Sequence, residues 1–150
     1  MKILVAYNER TRSSREALQV AKIHAKAYQA RILVVTSADP SRNEKDLLSK
    51  DEAEKVLADI QQELEGEGYS CSTHLLVLGF SRAEDLLHFA REKDVDEIVV
   101  GVEKRSKVGK FFLGSLAQHV ILKADCPVVA VKSPEEEEPD IYLGSTSMES

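Results

Sequence analysis

No stretch of this chain stays apolar for long. Runs such as Ile3 to Ala6, Ile32 to Val35 and Val128 to Val131 are strand-sized, whereas a membrane span needs about 20 residues. A spanning helix is therefore not expected. The first residues pass from Met1-Lys2 straight into a short apolar strand, without the longer apolar run and cleavage site of a secretory signal, so a cytoplasmic location is expected. Cysteine is scarce: Cys71 and Cys126 lie far apart and form no CxxC and no Cys/His cluster, which leaves two reduced core thiols rather than a disulfide or a zinc site. The four histidines, His24, His74, His88 and His119, are scattered with no i, i+4 pair, so no metal site is expected of them. The chain also lacks GxGxxG, GxxxxGK[ST] and GxSxG, which removes the usual dinucleotide fingerprint, the P-loop and the hydrolase elbow.

What is present is enough for one domain. The 150 residues are 43% hydrophobic, sufficient to bury a single core. The net charge of -6 is misleading until it is placed along the chain: Glu135 to Glu138, Asp140 and Glu149 follow residue 132 with no Lys or Arg among them. The body is thus balanced in charge, and residues 133–150 read as a solvated acidic tail. Neither a nucleic acid nor a membrane is expected as a partner.

Short β-branched or aliphatic runs without polar alternation, as expected of parallel strands covered on both faces, alternate with stretches of helical periodicity. Leu18, Ala21, Ala25 and Tyr28 form one such stripe, Ala53, Val56, Ile60 and Leu64 a second, and Leu86, Leu87, Phe89 and Ala90 a third. Four S-x-x-E/Q patterns, at Ser13, Ser41, Ser81 and Ser115, predict capping boxes at four helix starts. The order β-α-β-α-β-α-β-loop-α-β calls for an α/β fold, a doubly wound five-stranded parallel sheet with helices on both faces. Long loops after the first and fourth strands favour the order 3-2-1-4-5, in which those two strands flank the switch point where open sheets bind ligands.

The loop after the fourth strand, Gly101 to Ser115, carries three glycines and four cations and ends on a helix start. Glycine admits close backbone approach, and a helix N-terminus offers unpaired N–H groups at the positive end of its dipole. Together these suggest a phosphate site.

Gly101, Gly114 and Ser115 stand in the register G-x2-G-x9-G-[ST]. With the opening strand Ile3-Leu4-Val5-Ala6 and the Asp125-Cys126-Pro127-Val128-Val129-Ala130-Val131 segment, the chain from residue 2 to 132 resembles the universal stress proteins. The resemblance implies a domain over residues 1–132 acting as a homodimeric regulatory or sensor module. It would bind ATP or a related adenine nucleotide, with Mg2+ accompanying it, without sustained catalysis. Asn8 and Ser37 would lie on the nucleoside side, with Gly101, Lys104, Gly114 and Ser115 on the phosphate side. Three positions depart from the family's pattern: Lys104 stands at the second glycine, Asn8 at an acidic position and Ser37 at an apolar one. The alternative is a nucleotide-free dimeric interaction protein in which Lys104 fills the phosphate site. The last strand, Val128, Val129, Ala130 and Val131, forms a sheet edge that two copies can pair across a two-fold axis, the mode the resemblance also implies.

Overall fold

Five strands line up side by side because their residues are apolar on both faces. A computed structural model describes residues 1–38, 48–77, 81–102 and 113–133. Its elements are β1 (Lys2–Ala6), α1 (Arg12–Tyr28), β2 (Arg31–Ala38), α2 (Lys50–Gly66), β3 (Cys71–Val77), α3 (Arg82–Glu92), β4 (Glu97–Val102), α4 (Ser115–Lys123) and β5 (Val128–Lys132). The sheet is parallel throughout, in the order β3-β2-β1-β4-β5. β1 lies at its centre, with Val5 opposite Val34 on one side and Val99 on the other. Period-two alternation sends Ile3 and Val5 into the core under α1 and α2, and Leu4 and Ala6 into the core under α3 and α4. Ile3, Leu4, Val5, Ile98 and Val99 are wholly buried, each contributing about 1.5–3 kcal/mol of burial. Among the described residues no helix is long and apolar enough to cross a membrane.

The helix starts differ from the sequence reading in instructive ways. Ser81 caps α3 as expected, accepting from the Glu84 N–H at 3.2 Å. The cap of α2 is Ser49, which accepts from the Glu52 N–H at 3.3 Å; Ser41 lies outside the described residues. At α1 the cap position is Thr11, and Ser13 and Ser14 sit buried in the first turn. Ser14 Oγ instead accepts from the Asn8 N–H at 3.0 Å and meets Thr11 Oγ1 at 2.7 Å, so the loop before the helix claims this hydroxyl. At α4 the cap is Gly114, whose carbonyl accepts from the Gln118 N–H at 3.1 Å. Tyr28, expected in the buried stripe of α1, is exposed and meets the His24 ring edge-on.

Lys22 on α1 is buried, its ammonium 3.2 Å from Glu63 of α2 and 2.9 Å from Glu67, which caps that helix. Burial alone would lower its pKa, but the two carboxylates outweigh it and raise it. The cation is held charged and ties the two helices together. Cys71 is buried and Cys126 half-buried, both as free thiols. Burial raises the pKa of each, which keeps them protonated and unreactive.

Candidate functional site

At the carboxyl ends of β1, β2 and β4 a cavity of about 350 Å³ opens between the N-terminal ends of α3 and α4. This is the switch point of the winding, where β1 hands over to β4. Its floor is apolar: Ala6, Val35, Val100, Leu86 and Ala117 line it and are buried. Its rim is polar, made by Asn8, Arg10 and Thr11 after β1, Ser13 and Ser14 of α1, Ser37 of β2, Arg82 of α3, and Gly114 and Ser115 at α4. No carboxylate is among these described lining residues.

Five of the six residues singled out from sequence meet here: Asn8, Ser37, Gly101, Gly114 and Ser115. Lys104 lies outside the described residues. Gly101 has a packing reason for its identity. A Cβ at this position would lie 2.6 Å from the carbonyl carbon, carbonyl oxygen and Oγ of Ser13, so the absent side chain lets the first turn of α1 close onto β4. Gly114 is glycine for its backbone instead: φ is +75° and nothing lies within 4 Å of a Cβ there. That conformation aims the start of α4, whose first N–H groups lack intrahelical acceptors, at the cavity.

Asn8 organises the loop between β1 and α1. Its Oδ1 accepts from the Arg10 N–H at 3.0 Å, and its backbone carbonyl accepts from the Thr11 N–H and Thr11 Oγ1, both at 3.0 Å. An aspartate could build the same turn, so the asparagine changes the charge of the site while keeping its shape. Beside it, the Tyr7 hydroxyl donates to Glu9 Oε2 at 2.6 Å and Arg15 donates to Glu9 Oε1 at 2.7 Å. Burial, with Glu9 adding to it, pushes the Tyr7 pKa well above its ordinary value. Tyr7 is therefore a fixed neutral donor that anchors Glu9 in the loop.

Arg82, Arg10 and the Thr11–Ser14 pair are lining residues that sequence reasoning missed. For Arg82 the sequence held no distinguishing signal, since cations also open α1 at Arg12 and α2 at Lys50. Ser13 was hidden because its S-x-x-E with Glu16 reads equally well as a capping box. Among the described residues no group of three or more His, Cys, Asp or Glu side chains could hold a metal ion.

Comparison with known proteins gives this architecture a place. The model of the universal stress protein family matches residues 1–132. A universal stress protein of Thermus aquaticus is 33% identical over 134 residues, 87% of this chain and 97% of that protein. A universal stress protein structure from Archaeoglobus fulgidus superposes with a TM-score of 0.74 at 34% identity, covering 88% of this chain and 98% of the other. Another from the same organism, in complex with dAMP, gives 0.68 at 30% identity with the same coverage. With the family match spanning all five strands and four helices, the chain belongs to the universal stress protein family.

Proposed function

We propose that this protein is a regulatory or sensor module that binds ATP or a related adenine nucleotide in the cavity at the β1/β4 switch point and responds to it without sustained turnover. The observation that carries the reading is the convergence of Asn8, Ser37, Gly101, Gly114 and Ser115 on one cavity with an apolar floor, two arginines and no acidic residue among its described lining. A planar base and ribose suit the floor, and phosphates suit the start of α4. The dAMP complex of the Archaeoglobus fulgidus relative supports the same ligand class. Mg2+ would accompany ATP on its phosphates. Among the cavity's described lining residues no His, Asp, Glu or Lys stands as a base beside a hydroxyl, which favours binding over chemistry. The cellular setting that fits such a module is the cytoplasm, with residues 1–132 forming the working domain and residues 133–150 an appended acidic tail.

The module works as a homodimer in this reading. β5 is an edge of the sheet, and Val128, Val129 and Val131 along it are only half-buried, so pairing with β5 of a second copy would satisfy its open backbone groups. Two measurements test the ligand. Nucleotide released from the purified, denatured protein identifies what co-purifies. Thermal unfolding with added ATP, ADP or AMP should show stabilisation of about 2.7 kcal/mol at 100 times the dissociation constant. No shift with any of the three would overturn the proposal.

A further inference from the structure

We infer, on the reading of the cavity as a nucleotide site, that the acidic segment Glu135 to Glu138 of this same chain occupies the phosphate end of the cavity in the absence of nucleotide and competes with nucleotide phosphates for it. Sheet register places the two together. β5 pairs with β4 so that Val131 lies opposite Gly101 and Lys132 opposite Val102, and Gly101 lines the cavity. The described chain ends at Ser133, one residue beyond β5, so the tail departs from the same end of the sheet at which the cavity opens. β5 stands two strands from β1, about 10 Å at the usual strand spacing. The three residues from Lys132 to Glu135 span about 10 Å when extended, so Glu135 to Glu138 reach the cavity without any movement of the sheet.

Charge supplies the attraction. After residue 132 the chain carries Glu135, Glu136, Glu137, Glu138, Asp140 and Glu149 and no Lys or Arg. The described lining of the cavity holds Arg10 and Arg82 and no carboxylate, and the sequence that follows β4 adds Lys104, Arg105, Lys107 and Lys110 against the single acid Glu103. Ionised carboxylates are acceptor-only anions, as phosphate oxygens are, and suit the same N–H donors at the start of α4. Tethering makes the encounter intramolecular, at an effective concentration in about the millimolar range for a short linker, so individually weak contacts suffice. A tail docked about 80% of the time raises the apparent dissociation constant of the nucleotide about fivefold.

The test compares the full wild-type chain with a full-length variant carrying Glu135→Gln, Glu136→Gln, Glu137→Gln and Glu138→Gln. Isothermal titration at low salt should show ATP binding about fivefold tighter in the variant, AMP less affected and adenosine within about twofold, with the difference shrinking as salt is raised. Without nucleotide, the amide shifts of Gly101, Gly114 and Ser115 should differ between the two forms at every protein concentration, and saturating inorganic pyrophosphate should bring them together. Equal ATP affinity in the two forms, or identical amide shifts at those three residues, would overturn the role of the tail and leave the nucleotide site standing. A shift difference that grows with protein concentration would assign the contact to the tail of a second copy and overturn the contact within one chain. Failure of both forms to bind any nucleotide would overturn the nucleotide reading and the competition with it.

Discussion

A methyl group at position 101 would press on the backbone of Ser13 at 2.6 Å, and backbone cannot swing aside as a flexible side chain can. At position 114 the same methyl would meet nothing, and the cost would come from a φ of +75°. The two glycines therefore answer to different physics. Gly101→Ala should push α1 away from β4 and destabilise the protein by about 1–3 kcal/mol, the usual range for overpacking. Gly114→Ala should cost about 1–3 kcal/mol through its positive-φ, extended-ψ backbone alone, with the core unchanged. Urea unfolding gives both values, and a nuclear magnetic resonance spectrum separates them: shifts reach Ser13 and Ser14 in the first variant and stay near α4 in the second. The sequence pattern had marked both glycines as phosphate-site residues; that Gly101 is also a packing residue depends on α1, far away in the chain, and no local spacing encodes it. Arg82 escaped the sequence reading for a related reason, since only the fold brings the start of α3 beside that of α4.

His74 on β3 sits against the Phe89 ring of α3, centroids 4.8 Å apart, with Nε2 2.8 Å from Ser72 Oγ. Burial, then the charges of Lys93 and Arg31, lower its pKa below the ordinary 6.5. The unfolded chain therefore takes up a proton before the folded one does. The stability this neutral histidine provides is complete above pH 6.5 and declines as the pH falls towards and through the lowered value. Thermal melts between pH 7.5 and 5 should show that decline, and His74→Gln should flatten it. An identical slope in the variant would assign the pH dependence to other groups.

At the level of elements, the alternation of strand and helix was legible because parallel strands buried on both faces leave nearly continuous apolar runs, as in Ile32 to Val35. The strand order was legible too, through the long connections after β1 and β4. Helix starts were less so: Ser13, three residues before Glu16, satisfies the same pattern as Ser81 yet packs against Gly101, while its neighbour Ser14 serves the Asn8 turn. Leu4 shows what the central strand contributes. It is wholly buried under α3 and α4, and Leu4→Ala should cost about 2–5 kcal/mol, read as a lower urea midpoint with an unchanged slope. A loss below 1 kcal/mol would mean that the surrounding helices collapse into the gap.

Across the whole molecule, the sheet leaves β3 and β5 as edges, and the dimer proposed through β5 makes a direct demand on Ala130, which is exposed on that edge. Ala130→Asp should bring like charges together across the two-fold axis and yield a monomer with an unaltered circular dichroism spectrum, as sedimentation would show. A wild type that sediments as a monomer at micromolar concentration would end the dimer proposal without touching the ligand site.

Amide shift mapping during titration with AMP shows most directly where a nucleotide binds. The largest changes should fall at Asn8, Ser37, Arg82, Gly101, Gly114 and Ser115, the described lining of one cavity. Changes that cluster elsewhere on the surface, or none at saturating AMP, would contradict a nucleotide site in this cavity.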